Sequence, residues 1–253
     1  MKRKLIVISF SIIISIFLFN YAITQKICDK KVLVLGSIIS IKNENINNFK
    51  EEERTKIVNT SKQNIGIITC IDKQTNEYVA FCHQINSNNH EIENNTCYKA
   101  DYVSIEKSQT NKIGKLNAQT NSKFEIGNIT QNSQIGVFGI VTDLSIFNDD
   151  ETIELNIGSR YAIKKGKAQI YVNLEGKGLE KYDIYIENIN YFDETKNIHV
   201  KVIDEKLIEK TGGIIKGMSG SPIIQNNKLI GAINCALEED STDAYAIFAD
   251  KLF

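Results

Sequence analysis

The chain has 253 residues, 42% hydrophobic and 24% charged, with a formal net charge of −1. This is the balance of a globular protein, and it excludes a nucleic-acid partner, because a phosphate-binding domain needs a concentrated excess of Lys and Arg. The length allows one domain of about 190 residues plus extra segments, enough to bury a substantial core.

The amino terminus stands apart from that domain. Lys2, Arg3 and Lys4 precede an apolar run from Leu5 to Ile23, interrupted only by Ser9, Ser11, Ser15 and Asn20. About 19 residues of this kind suffice to cross a bilayer as a helix. The run directs the chain out of the cytoplasm. Ala22-Ile23-Thr24 fits the small-x-small cleavage pattern poorly, which favours an uncleaved signal anchor over a signal peptide at residues 1–24, with the amino terminus inside. Residues 25–60 read as a juxtamembrane segment and polar linker. Within them Val32–Ile41 is strand-like, whereas residues 42–64 are almost all Asn, Glu, Lys, Gln, Ser and Thr.

From there the pattern is β, and residues 61–253 are expected to form the main domain. Ile65–Ile71 and Glu77–Cys82 flank a polar turn and make a hairpin that ends at His83. Further strands are predicted at Tyr98–Glu106, Lys123–Ile129, Ile135–Thr142, Ala168–Leu174, Asp183–Ile189 and Ile198–Ile203. No long stretch shows helical periodicity, so a β-barrel or sandwich is expected. One short helix is predicted at Asp204–Lys210, with Asp204 as its N-cap and Gly212-Gly213 as its stop. The five cysteines, Cys28, Cys70, Cys82, Cys97 and Cys235, match no zinc or disulfide-scaffold spacing. Cys70, Cys82 and Cys235 lie in apolar runs and read as small buried hydrophobes. Neither a metal nor a cofactor is expected.

The chemistry concentrates at Gly217-Met218-Ser219-Gly220-Ser221-Pro222, which leads into a second hairpin, Ile223–Gln225 and Lys228–Ile233. A nucleophilic serine needs an exposed hydroxyl on a tight turn, with backbone N–H groups aimed where the carbonyl oxygen becomes negative. Gly217 and Gly220 permit such a turn. Pro222, the one proline of the chain, sends it on as a strand. The plain alternative is an ordinary Gly/Ser hairpin entry.

A base must accept the serine proton and return it to the leaving amine. Of the three histidines, His90 sits in a polar stretch and His199 at mid-strand; His83, at a strand-to-loop junction, is the candidate. An acid would orient it. Asp143, at the end of an apolar run, and Asp204, whose plain role is helix capping, are left open by local physics.

Gly66–Thr69 through Tyr78–His83, Ile126–Ile129 with Gly136–Gly139, and Thr211–Pro222 resemble the stage IV sporulation protein B peptidase family over most of residues 60–253. The resemblance implies a serine endopeptidase with a chymotrypsin-like double β-barrel. Carried over by position, the nucleophile falls on Ser219, the base on His83 and the acid on Asp204, which could also serve by positioning the serine loop. The oxyanion-hole N–H groups fall on Gly217 and Ser219. The resemblance further implies export, anchoring between the forespore and mother-cell membranes, self-cleavage, and a protein substrate that regulates an intramembrane metalloprotease, so that a sigma factor is processed.

Two departures qualify it. The interval where the family carries a PDZ domain holds only about twenty polar residues, too few for a domain. Cys82 stands where a glycine is usual before the histidine, and residues 86–95 are Asn-rich. An alternative reading is therefore a catalytically weak or inactive relative that binds a protein partner.

Overall fold

The computed structural model of the protein describes residues 12, 14–16, 18, 22, 23, 26–28, 30–41, 64–85 and 95–253. The expected anchor at 1–24 lies mostly outside the described residues, as do residues 42–63 of the expected linker and His90. Among the described residues no helix is long and apolar enough to cross a membrane.

Fourteen strands and a short α-helix that leads into the serine turn carry the fold of the described residues from Lys31 onward. The first seven strands are β1 (Lys31–Val34), β2 (Ile38–Ile41), β3 (Asn64–Asp72), β4 (Glu77–Ala80), β5 (Thr96–Glu106), β6 (Lys115–Ser133) and β7 (Gly136–Val141). The rest are β8 (Ile153–Ile157), β9 (Gly166–Val172), β10 (Glu180–Ile189), β11 (Ile198–Val202), β12 (Pro222–Gln225), β13 (Lys228–Ala236) and β14 (Asp243–Phe248). The helix α1 spans Glu205–Thr211.

The pairings close two antiparallel barrels. The first runs β3-β2-β5-β6-β7-β4 and closes through β3–β4; the second runs β12-β9-β10-β11-β14-β13 and closes through β12–β13. Closure removes the unpaired edges that an open sheet would leave. Strands β1 and β8 bridge them: β1 pairs with β3 and β8, and β8 runs parallel to β13. Because β1 and β2 are paired into this sheet, the barrel system takes in part of the stretch expected to be juxtamembrane.

Alternation decides which side chains fill each barrel. On β10, Tyr182, Ile184 and Ile186 are buried while Tyr185 and Glu187 face out. They join Ile170, Val200, Leu207, Met218 and Phe248 in the second core. The first core collects Ile39, Ile68, Tyr78, Phe81, Ile126 and Val137. Each fully buried Ile, Leu or Met contributes about 1.5–3 kcal/mol, so the barrels are rigid walls on which loops can be aimed. Strands β8 and β14 were absent from the predicted set, and β6 begins eight residues before the predicted Lys123. Their polar residues dilute the apolar pattern.

Candidate active site

The serine turn hangs between α1 and β12. Asp204 caps α1 through Oδ1, which accepts from Lys206 N–H at 3.0 Å and Leu207 N–H at 3.2 Å. Gly212 ends the helix with φ 76°, a left-handed angle that glycine adopts without a Cβ penalty. The chain is then pinned at each step: Ile214 N–H donates to Ser241 O at 2.7 Å and Lys216 N–H to Gly114 O at 3.0 Å, while Leu116 N–H donates to Lys216 O at 2.8 Å. Gly114 and Leu116 flank the start of β6, so the β5–β6 hairpin of the first barrel braces this loop of the second.

Within the turn the hydrogen bonds alternate. Met218 N–H donates to Ile215 O, Gly220 N–H to Ile233 O and Ser221 N–H to Met218 O. Among the described residues, the N–H groups of Gly217 and Ser219 are left without an acceptor. Two free backbone donors beside a serine hydroxyl are what an oxyanion requires. The turn is also clamped across the barrel boundary: Ile67 N–H donates to Ser219 O at 2.9 Å, and Thr69 Oγ1 to Gly220 O at 2.6 Å. Gly220, at φ 97°, has no room for a side chain, since a Cβ there would stand 2.1 Å from Ile67 O.

The histidine turn follows β4. Phe81 and Cys82 both hold positive φ, 64° and 52°, and Cys82 N–H donates back to Ala80 O at 2.7 Å. This tight three-residue turn is a strained form. Its supports come from both barrels: the Phe81 ring is buried, packed where Gly66 leaves space, and Asn234 Nδ2 donates to Cys82 O at 2.9 Å. Asn234 is the extra residue of a bulge in β13, lacking a register partner on β14, and bulges re-aim side chains in this way. Burial pushes the Cys82 thiol up to about 12, with the Thr69 hydroxyl acting the other way. The sulfur beside His83 is therefore neutral and no rival nucleophile.

His83 Nδ1 lies 2.9 Å from Gln84 O. A carbonyl can only accept, so Nδ1 carries the hydrogen of the neutral ring and Nε2 is left as acceptor, the form that a general base needs. His83 and Ser219 line one cleft of about 340 Å³. Among the described residues no hydrogen bond joins them.

The two candidate acids lie elsewhere. Asp204 gives its second oxygen to Asp183 N–H at 3.1 Å, so its whole carboxylate serves backbone donors of the second barrel, as its N-cap position dictates. The place at Nδ1 is taken by the Gln84 carbonyl. Asp143 caps a short 3₁₀ turn at Leu144–Ile146 and accepts from Ser145 N–H; these bonds hold its carboxyl below the usual range. Neither lines the cleft. His199 stands on the outer face of the second barrel, 3.0 Å from Asp243 and 3.5 Å from Glu187. Asn234 and Gln84 escaped the sequence reading. A polar Asn inside the apolar run of β13 was a signal for the first; nothing local marks a backbone carbonyl.

Comparison with solved structures gives low identities. The active form of the Rv3671c protease from M. tuberculosis is 14% identical with a TM-score of 0.44, covering 93% of this chain and 82% of that one. Human heparin binding protein is 10% identical with a TM-score of 0.38, covering 85% of this chain and 86% of that one. No curated protein matches the sequence. A family model does match, over residues 55–253, a span that holds twelve of the fourteen strands and both the histidine and serine turns, and the chain therefore belongs to the SpoIVB peptidase S55 family of serine peptidases.

Proposed function

We propose that the protein is an exported, membrane-anchored endopeptidase that cleaves a protein substrate in sporulation signalling, with Ser219 as nucleophile and His83 as base. The observation that carries the reading is the pair of unused N–H groups on Gly217 and Ser219 in the serine turn, together with the cleft that Ser219 shares with His83. In this reading Nε2 takes the Ser219 proton as Oγ attacks the peptide carbonyl, and the new oxyanion is held by the two N–H groups. The proton passes to the leaving amine, and water then releases the acyl group by the same steps. The Gln84 carbonyl fixes the tautomer. Asp204 acts on this site as a positioning residue, by anchoring the helix that feeds the serine turn.

The second reading, a weak or inactive relative that binds a partner, is favoured by the missing His83–Ser219 hydrogen bond; such bonds often tighten only when substrate arrives. A fluorophosphonate probe separates the two. Labelling of the wild type and none of Ser219→Ala is the expected result, and equal labelling or none at all removes the peptidase reading. Asp204→Ala should lose about 1 kcal/mol through the cap, which Asp204→Asn restores in part, its single amide oxygen accepting from the helix N–H groups while its NH2 cannot accept from Asp183 N–H. An Asn variant that is stable yet inactive would instead assign the carboxylate to His83. Anchoring and self-cleavage are both read from the mass of the mature protein in sporulating cells.

A further inference from the structure

We infer that the cleft selects an uncharged aliphatic side chain on the substrate residue whose carbonyl Ser219 attacks, and that Ile113, contributed by the opposite barrel, sets the size accepted. The inference rests on the peptidase reading and deepens it.

Beside His83 and Ser219, the cleft of about 340 Å³ is walled by Ile113, Ile214, Ile215 and Ala236. Ile214 and Ile215 are almost fully buried, 1% and 2% exposed, so their side chains are fixed parts of the wall. A charged substrate group entering such a wall would lose its hydration, which is costly without a partner. Among the described residues no charged partner is buried in the wall. The charged residues that touch the cleft, Lys216 and Glu238, are both exposed and opposite in sign, so together they favour neither charge. The buried Asn234 amide carries no charge and gives an N–H to Cys82 O. The Cys235 thiol, pushed up by burial, is uncharged as well.

Ile113 owes its place to tertiary structure. It lies in the turn between β5 and β6, and that turn is tied to the second barrel on both sides: Ser108 N–H donates to Thr211 O at 2.9 Å and Lys216 N–H to Gly114 O at 3.0 Å. Gly114 N–H also donates to Ser108 Oγ at 2.9 Å. A side chain carried on a backbone held so firmly, in the same cleft as the nucleophile, limits what can lie there. One methylene in an apolar pocket changes discrimination by about 10–200-fold.

The test uses the full chain and fluorogenic peptides that differ only at the residue before the cleaved bond: Val, Leu, Phe, Lys or Glu. Val and Leu are expected to exceed Lys and Glu in kcat/KM by at least about 100-fold. Ile113→Ala should raise the Phe-to-Val ratio by about 10-fold, and Ile113→Val should shift it in the same direction by less. Lys or Glu cleaved as well as Leu overturns the aliphatic selection. An unchanged Phe-to-Val ratio in both variants overturns the role of Ile113. Fluorophosphonate labelling of the wild type, run alongside, identifies the cause of a blank: no labelling removes the peptidase reading and this inference with it, whereas labelling with the wrong preference removes this inference alone.

Discussion

The serine turn and the histidine turn solve one backbone problem with different residues. Each must leave a strand or helix, reverse, and present a side chain to the same cleft, and each holds two residues at positive φ. The serine turn uses Gly217 and Gly220 there, at φ 98° and 97°. The histidine turn uses Phe81 and Cys82, which pay for the left-handed geometry with strain. What offsets the strain is burial and bonding drawn from both barrels: the Phe81 ring in the first core, and the Asn234 amide reaching from the second. One turn is thus written into its own residues, while the other is imposed by its surroundings.

That contrast can be broken most severely at Gly220. A Gly220→Ala chain should lose at least about 3 kcal/mol in denaturant unfolding and most of its activity, since the added carbon meets Ile67 O and Phe81 N as backbone, not as movable side chain. At the histidine turn, Cys82→Val should cost about 2–3 kcal/mol because a β-branched residue resists positive φ. Cys82→Gly should fall within about 1 kcal/mol of the wild type, relief of strain offsetting lost packing and greater chain entropy. If Val and Gly prove equal, strain at this turn is not the governing term.

Asn234→Ala sharpens the dependence of one turn on the other barrel. It leaves the Cys82 carbonyl without its donor, an expected loss of about 1–3 kcal/mol, and kcat should fall more than KM rises because His83 loses its register. Unchanged kcat would reduce Asn234 to a packing role. The smallest effect concerns the seam that joins the barrels. Asp72 on β3 accepts from Lys30 at 2.8 Å, just ahead of β1. Burial acts to raise its carboxyl, but the bonds from Lys30 and Gln74 outweigh it and hold the group below its ordinary value. A carboxylate depressed in the folded state stabilises above its unfolded pKa of about 3.9, and that contribution is lost as pH falls through the lower, folded value. Acid unfolding of Asp72→Asn, followed by circular dichroism, should therefore show a shallower loss below about pH 4 than the wild type.

How much of this was legible in the sequence varied with the range of the interaction. The β-branched run at Ile65–Ile71 and the turn signals around Asn226-Asn227 correspond to β3 and to the β12–β13 hairpin, because strand propensity and turn chemistry are local properties. Strand β14 was missed because Asp243, Ala244 and Ala246 give it a weak strand signal, and its partners β11 and β13 supply the reason to be extended. The same division runs through the site. Gly217, Ser219, Gly220 and Pro222 declare a turn by their own conformational freedom or restriction, whatever lies nearby. By itself, then, the sequence determined the serine turn, the helix cap at Asp204 and the all-β character, for these depend on residues close in the chain. Tertiary structure alone decided that Gln84 O holds the imidazole, that Asn234 holds the carbonyl before it, and that Ile113 enters the cleft from the opposite barrel. The first joins neighbours in the chain and depends on a backbone angle; the other two join residues of different barrels and come into being only when both barrels have closed.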